Sequence, residues 1–375
     1  MSEHGCHDEA TRPSWMELDL AALLHNYETL RAQVGPGVKI IAALKADAYG
    51  HGAAAVAKAL SRTDVHALAT GSFADAMAIR AAGVSLPILM FGGALPEGMA
   101  RLIEHGLMPT VYDIDGAEAV SAAARAPTAV YVKVDAGLGR LGVPLPDAFD
   151  YVSRIRRLPN IVLEGVYTHL SYHDLAGKAW ARERLAAFDA LLDALAAAGI
   201  AVPVTQALAS SGLLGGLASK ANAVCPGHLL YGISSVAPDV APLAPFRQVL
   251  AAVKSRLIHA GPLKSGMRDA RLNAPRRVGV LPFGLADGYR PLLPGQPAAA
   301  LIGGRRAPIR GVSLEHLTLD LSDHEEARVG DEAVLVGRQG GAEIALAEVA
   351  AWSGTRPHHV MMAFDGKLPQ RHLGA

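Results

Sequence analysis

Lys45 is the residue in this sequence best placed for covalent chemistry. It stands in the run Ala43-Leu44-Lys45-Ala46-Asp47-Ala48-Tyr49-Gly50-His51-Gly52, at the carboxyl end of an apolar stretch, Val38–Leu44, that reads as a strand. An amine held against apolar surface loses its proton readily, and the neutral amine forms a Schiff base with an aldehyde or ketone. An ordinary surface lysine closing a strand would give the same pattern. Arg140 lies in Asp135-Ala136-Gly137-Leu138-Gly139-Arg140-Leu141-Gly142, after Tyr131-Val132-Lys133-Val134. The glycines imply a tight loop, and an arginine held there can fork onto a carboxylate; a surface salt bridge is the plainer alternative. His169 closes a sixth strand, where an imidazole could stack on a flat cofactor, although a lone histidine is more often a satisfied core residue. Ser211 in Ser210-Ser211-Gly212 and Gly227 in Pro226-Gly227 could cradle a phosphate through hydroxyl and N–H groups, and would serve equally in plain turns.

These residues need a scaffold that brings strand ends together. Short apolar runs alternate with Ala-rich amphipathic segments. The strand candidates are Val38–Leu44, Ala67–Thr70, Pro87–Phe91, Met108–Tyr112, Val130–Asp135, Leu163–His169, Val204–Ala209 and an irregular Ala223–Gly232. Helical patterns fall between them at Ala54–Leu60, Ala74–Ala82, Ala117–Ala124 and Arg182–Ala198, the last ending at a C-cap glycine, Gly199. That alternation predicts an α/β fold, a (β/α)8 TIM barrel, whose carboxyl-end face is where such barrels build active sites. After Gly232 the texture changes. A Pro-rich linker, Ala237–Phe246, leads to strand patterns at Val278–Leu281, Ala299–Ile302, Leu317–Leu321, Ala333–Val336 and Ile344–Leu346. The expected organisation is a barrel over 1–243 and a mostly β domain over 244–375, with residues 1–20 packing on the β domain. Lysine at strand one and a phosphate cradle after strands seven and eight together suggest pyridoxal 5'-phosphate.

Composition narrows the class. The chain has 375 residues, 35 Lys+Arg against 35 Asp+Glu, 51% hydrophobic and 19% charged. It is long and apolar enough for a large core and excludes disorder. Zero net charge gives no case for nucleic acid or an anionic membrane. Two cysteines, Cys6 and Cys225, fit a reducing compartment. The polar start and the lack of a run near the ~20 apolar residues of a membrane span point to a soluble, cytoplasmic protein. No metal-ligand set is read from the sequence.

The sequence resembles the alanine racemase family over nearly its whole length. The resemblance rests on Arg12–Leu20 with Asn26, the Lys45 segment, Asp135–Gly142, Thr168-His169, Pro226–Gly232, Ala286-Asp287-Gly288-Tyr289, Gly311–Leu314 and Gly330-Asp331-Glu332. It implies a (β/α)8 barrel with a C-terminal β domain, pyridoxal 5'-phosphate as cofactor, an amino-acid substrate, and a homodimer with sites at the subunit interface. It implies that Lys45 carries the cofactor and acts as base on one face of Cα, with Tyr49 beside cofactor and phosphate. Lys133 matches a lysine that can be carbamylated and orient Arg140, which then holds the substrate carboxylate or the cofactor phenolic oxygen. His169 stacks on the ring, and Ser211 and Gly227 bind phosphate. His228 and Tyr231, within the Pro226–Gly232 match, join the cofactor set. The backbone N–H of Leu314 meets the substrate carboxylate.

Three departures from the family pattern matter. The family's second base is a tyrosine after a Leu-Lys-x-Gly turn; here the turn is Leu263–Gly266, and no tyrosine occurs from Gly266 to Leu285. The arginine that faces the pyridine nitrogen is replaced by Cys225. A phosphate-binding tyrosine near the carboxyl end maps to His358. Leu285 also stands where the family has a tyrosine. Racemisation needs a proton removed on one face and returned on the other, so Tyr289, His316 and His358 become candidate substitutes. A thiol in place of arginine lets the ring nitrogen stabilise a carbanion better. The leading expectation is a racemase or epimerase acting at Cα. The alternative is a one-base lyase on the same scaffold: a decarboxylase, aldolase or β-eliminating enzyme. A non-catalytic pyridoxal-phosphate-binding protein of cofactor homeostasis, and a barrel enzyme without this cofactor, are alternatives of other classes.

Overall fold

The computed structural model describes residues 11–92, 94–263 and 276–374. The described chain divides into two compact units. One takes the chain up to Ala21, the short segment Tyr49–Gly52 and everything from Gln248 onward; the other holds Ala22–Ala48 and Ala53–Arg247.

The second of these units is the barrel. Its strands, in order, are Lys39–Ala43, Ala67–Thr70, Ile88–Met90, Thr110–Val111, Thr128–Asp135, Ile161–Leu170, Val204–Ala209 and Ala223–Cys225. Sequence neighbours pair in parallel, all but the third with the fourth, and the eighth returns to the first through Ala223–Lys39 and Val224–Ile40. Between strands three and four the contact narrows to a bridge at Leu89–Met108. The sequence patterns locate all eight, with one correction. Ala223–Gly232 is a strand only to Cys225, because Pro226 has no N–H for the ladder, and the chain then turns through a 3-10 segment, His228–Tyr231.

Polar caps set where the surrounding helices start. The Ser72 side chain accepts the Asp75 N–H at the head of Phe73–Ala81, and Asp113 and Asp174 do the same for Ile114–Ala123 and Leu175–Ala197. Gly199, at φ 70°, follows the end of the long helix in the left-handed conformation its lack of a Cβ permits.

Inward positions fill the barrel: Ile41, Ala43, Ala67, Ala69, Leu89, Tyr131, Tyr167, Val204, Ala223 and Cys225. Small alanines on the first two strands leave room for two tyrosine rings, which meet edge-on at 6.4 Å. Gly165 is required by that packing, because a Cβ there would lie 2.3 Å from Tyr131 Cε1.

The other unit is a sheet of ten strands among the described residues. The amino-terminal strand Ser14–Asp19 enters it by pairing antiparallel with Leu250–Arg256 and parallel with Gln370–Leu373. Arg12 anchors the same segment with a forked contact to Asp287, at 3.1 and 2.6 Å. Ile344–Leu346 is not one strand: Ala342–Ile344 is extended, and Leu346 begins a helix, Leu346–Trp352, that buries Leu346, Val349, Ala350 and Trp352. Among the described residues no helix is long and apolar enough to cross a membrane.

Gly165→Ala should destabilise the protein by about 1–3 kcal/mol, the usual cost of overpacking. A urea-denaturation midpoint unchanged from wild type would contradict the described packing of Tyr131.

Candidate active site

Lys45 follows the first strand directly, and the backbone around it is unusual. Ala46, Asp47, Ala48 and Tyr49 all have positive φ, at 53°, 48°, 55° and 57°. Left-handed backbone costs an L-residue about 1–2 kcal/mol each, so four in a row persist only where the surroundings enforce them. The enforcing contacts within the barrel unit are specific. The Asp47 N–H donates to Asp75 Oδ2 at 3.1 Å, and the same oxygen accepts the Thr70 hydroxyl at 3.1 Å. Asp47 Oδ1 accepts the Ala53 N–H at 2.6 Å, and the Ala48 N–H donates to the Leu44 carbonyl at 2.9 Å. Below the turn, the Tyr231 hydroxyl donates to the Ala43 carbonyl at 3.1 Å and fixes the strand end.

A cavity of about 310 Å³ opens beside Lys45, lined by Gly71, Phe91, Gly92, Lys133, Arg140, Leu141, Tyr167, His169, Gln206 and Cys225. Five residues expected from the sequence therefore meet: Lys45, Lys133, Arg140, His169 and Cys225. No carboxylate stands among the described lining residues. The electrostatics follow. Lys45 has accessible surface, yet desolvation of its amine lowers its pKa; Cys225 opposes the shift and Arg140 adds to it. Lys133 is lowered to about 8, first by burial and then by Arg140, with Asp135 opposing. His169 is driven to about 3 by burial and by Lys45, Lys133, Arg140 and His228, so it stays neutral. Burial raises the Cys225 thiol to about 12, leaving it protonated despite Lys45.

Arg140 is placed by its loop. Asp135 Oδ1 accepts the Gly137 N–H at 2.8 Å and Oδ2 the Arg140 N–H at 2.9 Å. Burial alone would raise the Asp135 pKa, but these backbone donors hold it below the usual carboxylate range. A Cβ on Gly142, whose φ is 139°, would sit 2.5 Å from the Asp135 nitrogen, which explains the last glycine of this motif.

The loops after strands seven and eight interlock. Ser210 Oγ accepts the N–H groups of Gly227, at 2.9 Å, and Leu229, at 3.2 Å. The Gly227 N–H is thus already engaged within the protein. The neighbouring Ser211 hydroxyl is buried without a hydrogen-bond partner, so it is available to donate to an anion.

The remaining expected residues are described within their own unit. Tyr49, Leu314 and His358 belong to the β-rich unit. Leu314 is 71% exposed, and its carbonyl accepts the Ala286 N–H at 2.7 Å. His358 meets His359 edge-on at 4.3 Å, and burial lowers its pKa. The Tyr289 hydroxyl is buried without a partner and burial raises its pKa, which disfavours it as a base. His316 borders a shallow hollow with Ser313 and Leu314. The turn expected to hold the family's tyrosine runs through 264–275, outside the described residues.

Sequence reading missed Phe91, Leu141, Tyr167 and Gln206 as cavity walls. Tyr167 and Gln206 are register partners on strands six and seven, and Phe91 directly follows strand three. The available signal was inward register on the strands, without a reactive side chain to draw notice.

Two family models match the chain: "Alanine racemase, N-terminal domain" over residues 18–235 and "Alanine racemase, C-terminal domain" over 252–372. An alanine racemase from Halothermothrix orenii is 32% identical over 371 residues, covering 96% of this chain and 97% of that protein. One from Syntrophobacter fumaroxidans is 35% identical, covering 92% and 94%. Among solved structures, alanine racemase from Bacillus anthracis with bound L-Ala-P superposes with a TM-score of 0.86 at 25% identity, covering 96% of this chain and 95% of that one. The biosynthetic alanine racemase of Pseudomonas aeruginosa superposes with a TM-score of 0.79 at 28% identity, covering 96% and 99%.

The electrostatics give a testable profile. Competitive labelling with acetic anhydride, which modifies only neutral amines, should show Lys133 titrating with a midpoint near 8. A midpoint near the ordinary lysine value of 10.5 would contradict the described burial.

Proposed function

The chain belongs to the alanine racemase family, and from that premise we propose that it interconverts the mirror-image forms of an amino acid, with Lys45 joined to pyridoxal 5'-phosphate as a Schiff base and serving as one of its bases. Its near-full-length relatives make it an isomerase, and the family is pyridoxal-phosphate-dependent. The observation that carries the residue assignment is the Lys45 amine, of lowered pKa, in a cavity whose described walls hold two further cationic side chains and no carboxylate.

The residues present fit this cofactor. Bound there, pyridoxal 5'-phosphate supplies a carbonyl for amines and an electron sink that acidifies Cα. Lys45 would hold it, and the partnerless Ser211 hydroxyl would donate to its phosphate. Lys133 and Arg140 draw anionic groups into the cavity, and Arg140 orients the substrate carboxylate. His169 stays neutral, so it can pack against a flat ring without adding charge. Cys225, a neutral thiol, can offer a ring nitrogen only a weak hydrogen bond, where the family pattern supplies a fixed positive charge. Lys45, once neutral, takes the α-proton on its own face. Leu314, Tyr49 and His358 complete the proposal through substrate and phosphate contacts, within a homodimer.

Two of the departures in the sequence, no tyrosine from Gly266 to Leu285 and Cys225 for arginine, favour a second reading in which Lys45 alone drives decarboxylation, aldol cleavage or elimination. Incubation with L-amino acids in deuterated water separates them. The first reading expects the D form to accumulate with deuterium at Cα; release of CO2, an aldehyde or a keto acid without D product would overturn it. Lys45→Ala should lower turnover by about 10²–10⁴-fold, the range for a lost general base, and full activity in that variant would remove Lys45 from the mechanism.

A further inference from the structure

We infer that Asp75 is a positioning residue for Lys45, bracing the left-handed turn that aims its amine. The inference rests on the role given to Lys45 above. Asp75 is not among the described residues that line the cavity. It sits in the first turn of the helix Phe73–Ala81, which follows the second strand, whereas Lys45 follows the first. These two strands are neighbours, paired at Ile41–Ala67, Ala42–Leu68 and Ala43–Ala69. The Leu44 N–H continues the ladder to the Ala69 carbonyl at 2.7 Å. Beyond that point the strands part, and the Asp75 carboxylate takes over the connection.

One oxygen makes it. Asp75 Oδ2 accepts both the Asp47 N–H and the Thr70 hydroxyl, each at 3.1 Å. Thr70 is fully buried at the end of the second strand, and its Oγ1 also accepts the Ser72 N–H at 3.2 Å. Ser72 Oγ in turn accepts the Asp75 N–H at 3.1 Å. The carboxylate is therefore held from its own backbone and from Thr70 before it reaches Asp47. Asp47 is the second of the four residues with positive φ, so the bond grips the strained turn in its middle. Without the acceptor, the Asp47 N–H loses its partner and the turn is free to relax toward ordinary right-handed or extended backbone. Lys45 would then leave the cavity for part of the time, and only the fraction held in place reacts.

What the brace needs is an acceptor oxygen in that position rather than a negative charge. Asparagine can present its amide oxygen to both donors, which gives the proposal its conservative variant. The test measures the rate at which the full-length protein captures pyridoxal 5'-phosphate on Lys45, trapped with borohydride and read by peptide mass. It also measures hydrogen exchange at the Asp47 amide. Asp75→Ala should slow capture at least tenfold and expose the Asp47 amide, while Asp75→Asn stays within about twofold of wild type. Asp113→Ala, which removes a capping aspartate from another barrel helix, controls for general destabilisation; it should lower Tm and leave capture unchanged. Capture at the wild-type rate in Asp75→Ala, equal slowing in Asp113→Ala, or an asparagine variant as slow as alanine would each overturn the brace. If wild-type Lys45 captures no cofactor, the cofactor assignment fails, and the Asp47 amide alone decides the brace: protection retained in Asp75→Ala refutes it.

Discussion

A lysine amine that must shed its proton while Lys133 and Arg140 stand in the same cavity is the constraint around which the barrel unit is arranged. Desolvation and like charge act on it in one direction, and no carboxylate among the described lining residues opposes them. Burial first, and the same repulsion after it, lower Lys133 and hold His169 neutral. A cavity with this excess of cationic side chains favours an anion. A ligand carrying both a phosphate and a carboxylate-bearing partner answers that need, while its carbonyl answers the amine.

Holding such groups together requires supports outside the cavity. Several of these supports are polar groups that do no chemistry themselves. Asp135 gathers the N–H groups of the Arg140 loop. Ser210 ties Gly227 and Leu229 to the seventh strand end. Tyr231 pins the Ala43 carbonyl two residues before Lys45. Asp75 and Thr70 hold the turn that follows. These bonds let loops at the mouth of a barrel keep the accuracy of its strands.

The barrel was legible in the sequence because each strand is a short apolar run between stronger helical patterns. Val204–Ala209 and Ala67–Thr70 agree to the residue. Ala223–Gly232 misled because apolar composition continues through a segment that Pro226 had already taken off the ladder. Leu346 misled because a strand's last residue and a helix's first are equally apolar. In the site, the reactive types Lys45, Lys133, Arg140, His169 and Cys225 announced themselves by chemistry and motif. Their walls, Phe91 and Gln206, did not, since nothing in a phenylalanine or glutamine reports which way its strand turns it. The left-handed turn was equally hidden. Alanine, aspartate and tyrosine ordinarily avoid positive φ, and the support that the Asp47 N–H finds at Asp75, 28 residues further on, leaves no mark in the local sequence.

Cys225 concentrates what separates this chain from its family's pattern. It brings neutrality where an arginine would bring charge, and so links the electrostatics of the cavity to the choice between returning a proton to Cα and breaking another bond there. That choice matters only if the cofactor is attached where the geometry indicates. The most direct measurement is the mass of every lysine peptide after the purified protein is loaded with pyridoxal 5'-phosphate and reduced. The account predicts one pyridoxyl group per chain, on Lys45. A label on Lys133 or another lysine, or none at all, would contradict it.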